Sequence, residues 1–275
     1  MRWLPLGIAG RLGGFMRIIT WNINSVRARV DIVKQLVETY DPDVLCLQET
    51  KVQDHMFPTG FFEEIGMPHL ALHGQKSYHG VATAAKAPFA DSYKIDWCQK
   101  GDARHIAIRL DNGVTVHNFY VPAGGDEANP ETNDKFAHKL QFMDEMTKWS
   151  ADLSEPSVLV GDLNIAPHPD DVWDHKKLLK VVSHTPIETD GMLQMIEAHD
   201  WVDVMREVTP LPEKLFSWWS YRAKDWSAAD KGRRLDHVWV SPSLKSAPKH
   251  MEVAREARGW TKPSDHAPVI VDFDF

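Results

Sequence analysis

The stretch VLVGDLNIAP, residues 158–167, decides how the rest of the chain is read. Val158, Leu159 and Val160 form a short apolar run rich in β-branched residues, which predicts a buried strand. Gly161 is expected to end that strand. Asp162 and Asn164 then stand at its C-terminal tip, and Pro167 bars an immediate return to regular structure. A strand tip holds a carboxylate and an amide rigidly, because the sheet behind it fixes the backbone. Taken alone, the stretch reads equally as an ordinary turn, since Gly, Asp and Asn are the usual turn residues. Other strand tips along the chain change that weighting.

Working outward, residues 134–149 place Phe136, Leu140, Met143 and Met146 at helical spacing. Before them, RHIAIRL (104–110) and VTVHNFYV (114–121) flank Asn112-Gly113, a hairpin signal that delivers Tyr120 to a strand end. Residues 17–21 predict a strand with Asn22 and Asn24 at its tip. Val30, Val33, Leu36, Val37 and Tyr40 make residues 26–40 an amphipathic helix, stopped by Asp41-Pro42. Residues 43–47 predict a second buried strand with Glu49 at its tip. Further strands are expected at 69–72 and 80–85, with short helices at 57–65 and 176–182. A longer helix is expected at 189–199. Downstream, strands are expected at 235–240 (entered through Asp236), at 250–254, and at 268–273 after Ser264-Asp265-His266. Early strand–helix alternation beside a clear hairpin predicts an α/β fold of mixed sheets with helices on the outer faces. No repeat, low-complexity tract or linker breaks residues 16–275, which read as one domain. Residues 1–15 hold Arg2 and Arg11, no acid and a Pro/Gly-broken apolar stretch. Met16 opens a clean start before the first strand, so the first 15 residues are expected to be an over-called, disordered extension.

Composition narrows the function classes. The chain has 275 residues, 43% of them hydrophobic and 25% charged, which excludes a disordered protein. Thirty-one basic against 39 acidic residues give a net charge of −8, which argues against a nucleic-acid binder relying on bulk electrostatics. A nucleic-acid enzyme remains open, because a local basic surface and a bound cation can reverse the field. Two cysteines, Cys46 and Cys98, give neither a disulfide framework nor a zinc site, so a reducing, cytoplasmic setting is expected. No apolar run is long enough to span a membrane.

Asn22, Glu49, Tyr120, Asp162, Asn164, Asp236, Asp265 and His266 all fall at strand ends. Converged, they make a cleft of oxygen ligands with one imidazole. Carboxylate and amide oxygens suit Mg²⁺, or Mn²⁺, rather than zinc. That donor set fits phosphoester hydrolysis, in which a carboxylate activates water and an imidazole steadies the phosphate.

The same residues lie in motifs that resemble the exonuclease III family of DNA-repair nucleases, within the endonuclease/exonuclease/phosphatase fold. The motifs are WNINSVRAR (21–29), LQETK (47–51), HGQKSYHGVA (73–82), NFYVP (118–122), GDLNIAP (161–167), FSWWSYR (216–222), RRLDHVWVS (233–241) and KPSDHAPV (262–269). Each is weak alone; eight in the family's order over residues 16–275 make a specific match. The resemblance implies a monomeric four-layer sandwich, two mixed β-sheets packed face to face under outer helices. It implies Mg²⁺-dependent incision 5′ to abasic sites, 3′→5′ trimming of duplex DNA and cleaning of damaged 3′ ends. It assigns Glu49 to the metal, with Asn22 and Asp265 near it. Asp162 becomes the acid that orients or deprotonates water, and Asn164 and Tyr120 become phosphate neighbours. Asp236 orients His266 and favours its charged form.

For substrate binding, the resemblance places Phe216, Trp218 and Trp219 beside an apolar pocket for a base-free sugar, with Trp218 the best match. Arg222 belongs to a basic island with Lys214, Lys224, Lys231, Arg233 and Arg234, to which Lys51 and Lys76 add. Double-stranded DNA, abasic or 3′-damaged, is the expected partner. Two departures stand out: Ala123 replaces a glutamine frequent in the family, and the loop 223–232 is of a variable kind. The competing readings are a small-molecule phosphatase of the same fold and an inactive nucleic-acid-binding module. The aromatic cluster and basic island speak against the first, and the intact site positions against the second.

Overall fold

Two six-stranded sheets stack face to face in the computed structural model, which describes residues 14–275. The expectation for residues 1–15 therefore lies almost wholly outside the described residues. The first sheet contains β1 (Met16–Asn22), β2 (Val44–Gln48), β3 (His69–His73), β4 (Val81–Ala85), β13 (Pro248–Val253) and β14 (Val269–Phe273), in the order β13-β14-β1-β2-β4-β3. The second contains β5 (Asp91–Tyr93), β6 (His105–Arg109), β7 (Thr115–Tyr120), β8 (Ser157–Asp162), β9 (Val202–Asp203) and β12 (Asp236–Val240), in the order β5-β6-β7-β8-β12-β9. Each sheet has one parallel pair, β1/β2 and β7/β8, among antiparallel neighbours. A small ribbon, β10 (Trp218–Trp219) with β11 (Gly232–Arg233), stands apart.

Period-2 alternation builds the middle of the sandwich. Ile18, Val44, Cys46 and Val271 of the first sheet face Ile108, Val116, Val158, Val160 and Val238 of the second in one buried cluster. The residues between them point outward. Ile19, Trp21, Leu45 and Leu47 pack under α1 (Val30–Tyr40) and α2 (Thr59–Glu64). Phe119, Leu159 and Trp239 pack under α3 (Asp134–Asp152) and α5 (Pro186–Glu197), which gives the four layers expected. Short helices α4 (His175–Leu178), α6 (Val204–Val208) and α7 (Trp226–Ala229) fill connections. No helix among the described residues is long and apolar enough to cross a membrane.

Three local expectations need correction. Gly161 does not end its strand; β8 runs through it to Asp162. Its φ is +141°, and a Cβ there would lie 2.0 Å from the Phe119 carbonyl oxygen, so glycine is needed for β7 and β8 to approach. The predicted helix at 189–199 begins three residues earlier, where Thr185 and Glu188 form a capping box with Pro186 in the first turn. The helix at 26–40 begins only at Val30, after a turn that starts with left-handed Asn24 and Ser25.

The sheet interface is not apolar throughout. Gln48 donates to Asn118 Oδ1 (2.7 Å) and to Thr20 Oγ1 (2.9 Å), and Asn118 donates back to the carbonyls of Leu47 and Ala82. This buried seam pins the second sheet to the first, one residue before Glu49.

Candidate active site

Parallel pairing brings Asn22 opposite Gln48 and Tyr120 opposite Asp162, while antiparallel pairing sets Asp236 opposite Asp162. The tips therefore converge at one end of the sandwich. Asn22 Nδ2 donates to Asp162 Oδ2 (2.8 Å) and to Glu49 Oε1 (2.9 Å), so one amide bridges carboxylates from both sheets. Tyr120 Oη also donates to Glu49 Oε1 (2.9 Å), and Lys51 Nζ lies 2.8 Å from Glu49 Oε2. Asp162 Oδ1 accepts the Asn164 backbone N–H (2.9 Å). His266 Nδ1 lies 2.8 Å from Asp236 Oδ2, and its Nε2 lies 3.7 Å from Asp162 Oδ2. Asp265 accepts from Trp218 Nε1 (3.0 Å) and Asn24 Nδ2 (3.3 Å).

Several of these groups sit on backbone that L-residues seldom adopt. Asn24, Ser25, Glu49, Lys51 and Asn164 all have φ between +48° and +89°. Glu49 and Lys51 have no glycine-like excuse for it, and such strain persists only where surrounding hydrogen bonds fix the chain. Here the Ser25 and Val26 N–H groups donate to the Glu49 and Thr50 carbonyls, locking the two loops together.

Burial and charge set the protonation states. Burial pushes the Asp162 carboxyl up; His266 and the Asn22 hydrogen bond pull against this, Asp236 and Glu49 add to it, and it stands at about 7. Burial opposes a charged His266 ring, but the Asp236 and Asp162 carboxylates outweigh it and lift the ring to about 10. Burial, then the charges of Glu49 and Asp162, raise Tyr120 well above its ordinary value, so the phenol keeps its proton. Burial would also raise Glu49, but Lys51, the Asn22 hydrogen bond and His266 hold it below the usual carboxylate range.

Asp162, Asp236 and His266 place one ligand atom each within 4.8 Å of one another, so this centre could hold a metal ion. A protonated His266 offers no lone pair, however, and both its neighbours are carboxylates that favour the proton. The oxygens of Glu49 and Asp265, which open on the cleft, fit a hard divalent cation better. The buried Asp236 Oδ1 has no hydrogen-bond partner among the described residues.

The cleft encloses about 820 Å³ and is lined by Glu49, Tyr120, Asn164, Asp265 and His266 together with Trp218, Arg222, Trp173 and Lys231. Trp219 reaches it, but its ring is buried, with Nε1 bonded to Asp230. Phe216 and Lys76 are not brought to the cleft: Phe216 packs against Gly232, and Lys76 is exposed on the loop before β4. Lys51 works at the Glu49 carboxylate rather than on the cleft wall. Ala123 does line the cleft. Sequence reading missed Ser183, Leu235 and Trp173 on the wall and Ser217, whose Oγ accepts the Asp236 N–H. It also missed buried Lys139, which donates to the Asn164 carbonyl (2.8 Å) and pairs with Glu188. Only the Thr185–Glu188 capping pattern could have signalled that last arrangement.

A model of the endonuclease/exonuclease/phosphatase family matches residues 19–266. The chain is 33% identical over 272 residues to exodeoxyribonuclease III of Haemophilus influenzae, covering 94% of this chain and 100% of that one. An AP endonuclease from Archaeoglobus fulgidus superposes with a TM-score of 0.87 at 31% identity, covering 94% and 100% of the two chains. The 3′ phosphatase NExo from Neisseria, solved with a product DNA hairpin, gives the same score, identity and coverage. The chain belongs to the endonuclease/exonuclease/phosphatase family and, within it, to the exonuclease III group.

Proposed function

We propose that this protein is a DNA-repair phosphodiesterase that nicks duplex DNA 5′ to abasic sites, trims 3′ ends and clears blocked 3′ termini with Mg²⁺ or Mn²⁺. The observation that carries the reading is the Asp162 carboxylate. It is buried, held by the Asn22 amide and the Asn164 N–H, beside a histidine that is clamped by a second carboxylate and itself lines a wide cleft. A carboxyl near neutrality suits a group that takes a proton from water, and a cationic imidazole suits one that faces developing phosphate charge.

Water attacks phosphorus while Asp162 orients it and accepts its proton. The P–O3′ bond breaks, the leaving oxygen takes a proton from solvent, and a 3′-hydroxyl and a 5′-phosphate result. Asp236 holds the His266 ring in place, and the charged ring stabilises the negative oxygens of the transition state. Tyr120 keeps Glu49 in position and presents a phenol at the cleft. The Asn164 amide donates to the Val121 carbonyl with one hydrogen (2.9 Å) and has a second for a phosphate oxygen. Glu49, with Asp265 and Asn22 beside it, would hold the divalent cation, which supplies charge neutralisation at the phosphate when bound. Trp218 would bind beside the base-free sugar, and Arg222 would bind DNA phosphates along the same cleft. We read the working unit as a monomer of residues 16–275 in the cytoplasm, where the free buried Cys46 and Cys98 are at home.

A duplex with one abasic-site analogue and one recessed 3′ end, incubated with Mg²⁺ or with EDTA, tests the reading on a gel. Metal-dependent incision 5′ to the lesion is expected, with a ladder from the 3′ end. No cleavage by folded protein would end it.

A further inference from the structure

Two adjacent arginines, Arg233 at the end of β11 and Arg234 in the turn to β12, are treated oppositely. Arg234 is fully buried and spends its guanidinium on Asp171 (2.7 and 3.0 Å) and Asp203 (2.7 Å). Arg233 is half-buried and has no carboxylate within ion-pair distance among the described residues. Its Nη1 donates to the Val182 carbonyl (3.1 Å) and Ser183 Oγ (2.7 Å), and its Nε is buried without an acceptor. The guanidinium lies 5.3 Å over the Trp218 ring and lines the cleft. A desolvated cation whose nearest carboxylate, Glu188, is already paired with Lys139 is unfavourable in the free protein, and an arriving anion relieves it.

The backbone fixes where that anion sits. Trp218 pairs with Arg233 on one side and bridges to His266 on the other, both antiparallel. Directly opposed residues of antiparallel segments point to one face, so His266, Trp218 and Arg233 share the cleft floor. Two strand spacings separate the His266 and Arg233 backbones by about 10 Å. A phosphate at His266 and a second anion at Arg233 would thus lie along one face of the cleft, with the Trp218 strand between them.

We infer that Arg233 is a substrate-binding residue for a second negative charge, carried on the fragment that leaves with the 5′-phosphate. The inference rests on the proposed nuclease reading and deepens it: the sugar pocket is not simply apolar but selects acidic fragments. The charge has two sources with one chemistry. It is the carboxylate of an oxidised remnant on a 3′ end, or the next phosphate beyond an internal abasic sugar.

Two substrate pairs separate these sources. One pair ends in 3′-phosphoglycolate or in the uncharged 3′-phospho-(2-hydroxyethyl) ester. The other carries an internal tetrahydrofuran site followed by a phosphate or by an uncharged methylphosphonate. Wild-type protein is expected to prefer the charged member of at least one pair by about tenfold in KM, the size of one charge-assisted contact. Arg233→Gln is expected to abolish that preference, losing far less on the uncharged member, and Arg233→Lys to keep part of it. The pair that shows the preference names the source. Equal KM values within both pairs for wild type, or a preference that survives in Arg233→Gln, would overturn the assignment. Should Arg233→Gln melt early, the ratio measured on Arg233→Lys and Arg233→Met decides. Failure of wild type to cleave any of the four substrates would instead remove the nuclease reading itself.

Discussion

Asp162 and Asp171 are both buried acids, and they face opposite environments. Asp171 is saturated: Oδ1 accepts from Arg234 and Arg206, and Oδ2 from Arg234 and the His168 N–H. Burial would raise its carboxyl, but the two arginines pull it down to about 2. Asp162 shares a single imidazole with Asp236 and stands at about 7, and Asp236 keeps one oxygen without a partner. Arg234 and Asp236 are two residues apart, so neither burial nor position separates the clusters. What separates them is whether each charge is answered from within the protein. A completed cluster fixes the wall of the sandwich, and an incomplete one waits for substrate and cation.

The largest effect that bears on this contrast is expected from Asp162→Asn. It should lower kcat by about 10²- to 10⁴-fold, the usual share of a general base, while thermal melting stays within a few degrees. A comparable loss of stability would place Asp162 with Asp171 as a structural acid. Next comes Arg234→Met, which takes two of the four hydrogen bonds from buried Asp171 and the guanidinium from partly buried Asp203. It should cost about 3–5 kcal/mol in denaturant unfolding, and a neutral result would show that the completed cluster is dispensable.

The pH dependence of stability sharpens the contrast further. The folded Asp171 value lies below that of the unfolded chain, about 3.9, so its contribution is present above about pH 4 and fades as pH falls through about 2. Wild type should lose about 2 kcal/mol from this group across that window. The stability gap between wild type and Asp171→Asn should shrink by that amount, and a constant gap would contradict the assignment. The smallest effect is expected from Glu49→Gln. It should raise the Mg²⁺ concentration for half-maximal cleavage by about tenfold or more, and an unchanged Mg²⁺ requirement would take Glu49 out of the metal site.

Much of this was legible in the chain because strand tips were. The apolar runs before Asp162 and Glu49 and after Asp236 fix strands whose ends must carry those acids, and sheet pairing brings such ends together. What escaped was whatever depends on a partner far away in sequence. Gly161 looks like a strand terminator until Phe119 is placed 2.0 Å from where its Cβ would be. Gln48 falls just outside the expected strand and Asn118 inside one, and neither shows its role until each proves to be the other's hydrogen-bond partner. β5 and β9 have three and two residues, too short for periodicity to register. Phe216 and Trp218 lie two apart in one aromatic cluster, and only the β10/β11 ribbon decides which faces the cleft.

The Asn22 amide has a consequence for how the protein would fail. It joins Glu49 of one sheet to Asp162 of the other across the seam between them. Catalytic competence therefore reports on the docking of the two layers and not on either layer's integrity. Gentle heating or low urea that loosens the docking should extinguish turnover while far-ultraviolet circular dichroism still reads native. Enzymatic assay then becomes an early-warning gauge of sliding between the halves, ahead of any spectroscopic sign of unfolding.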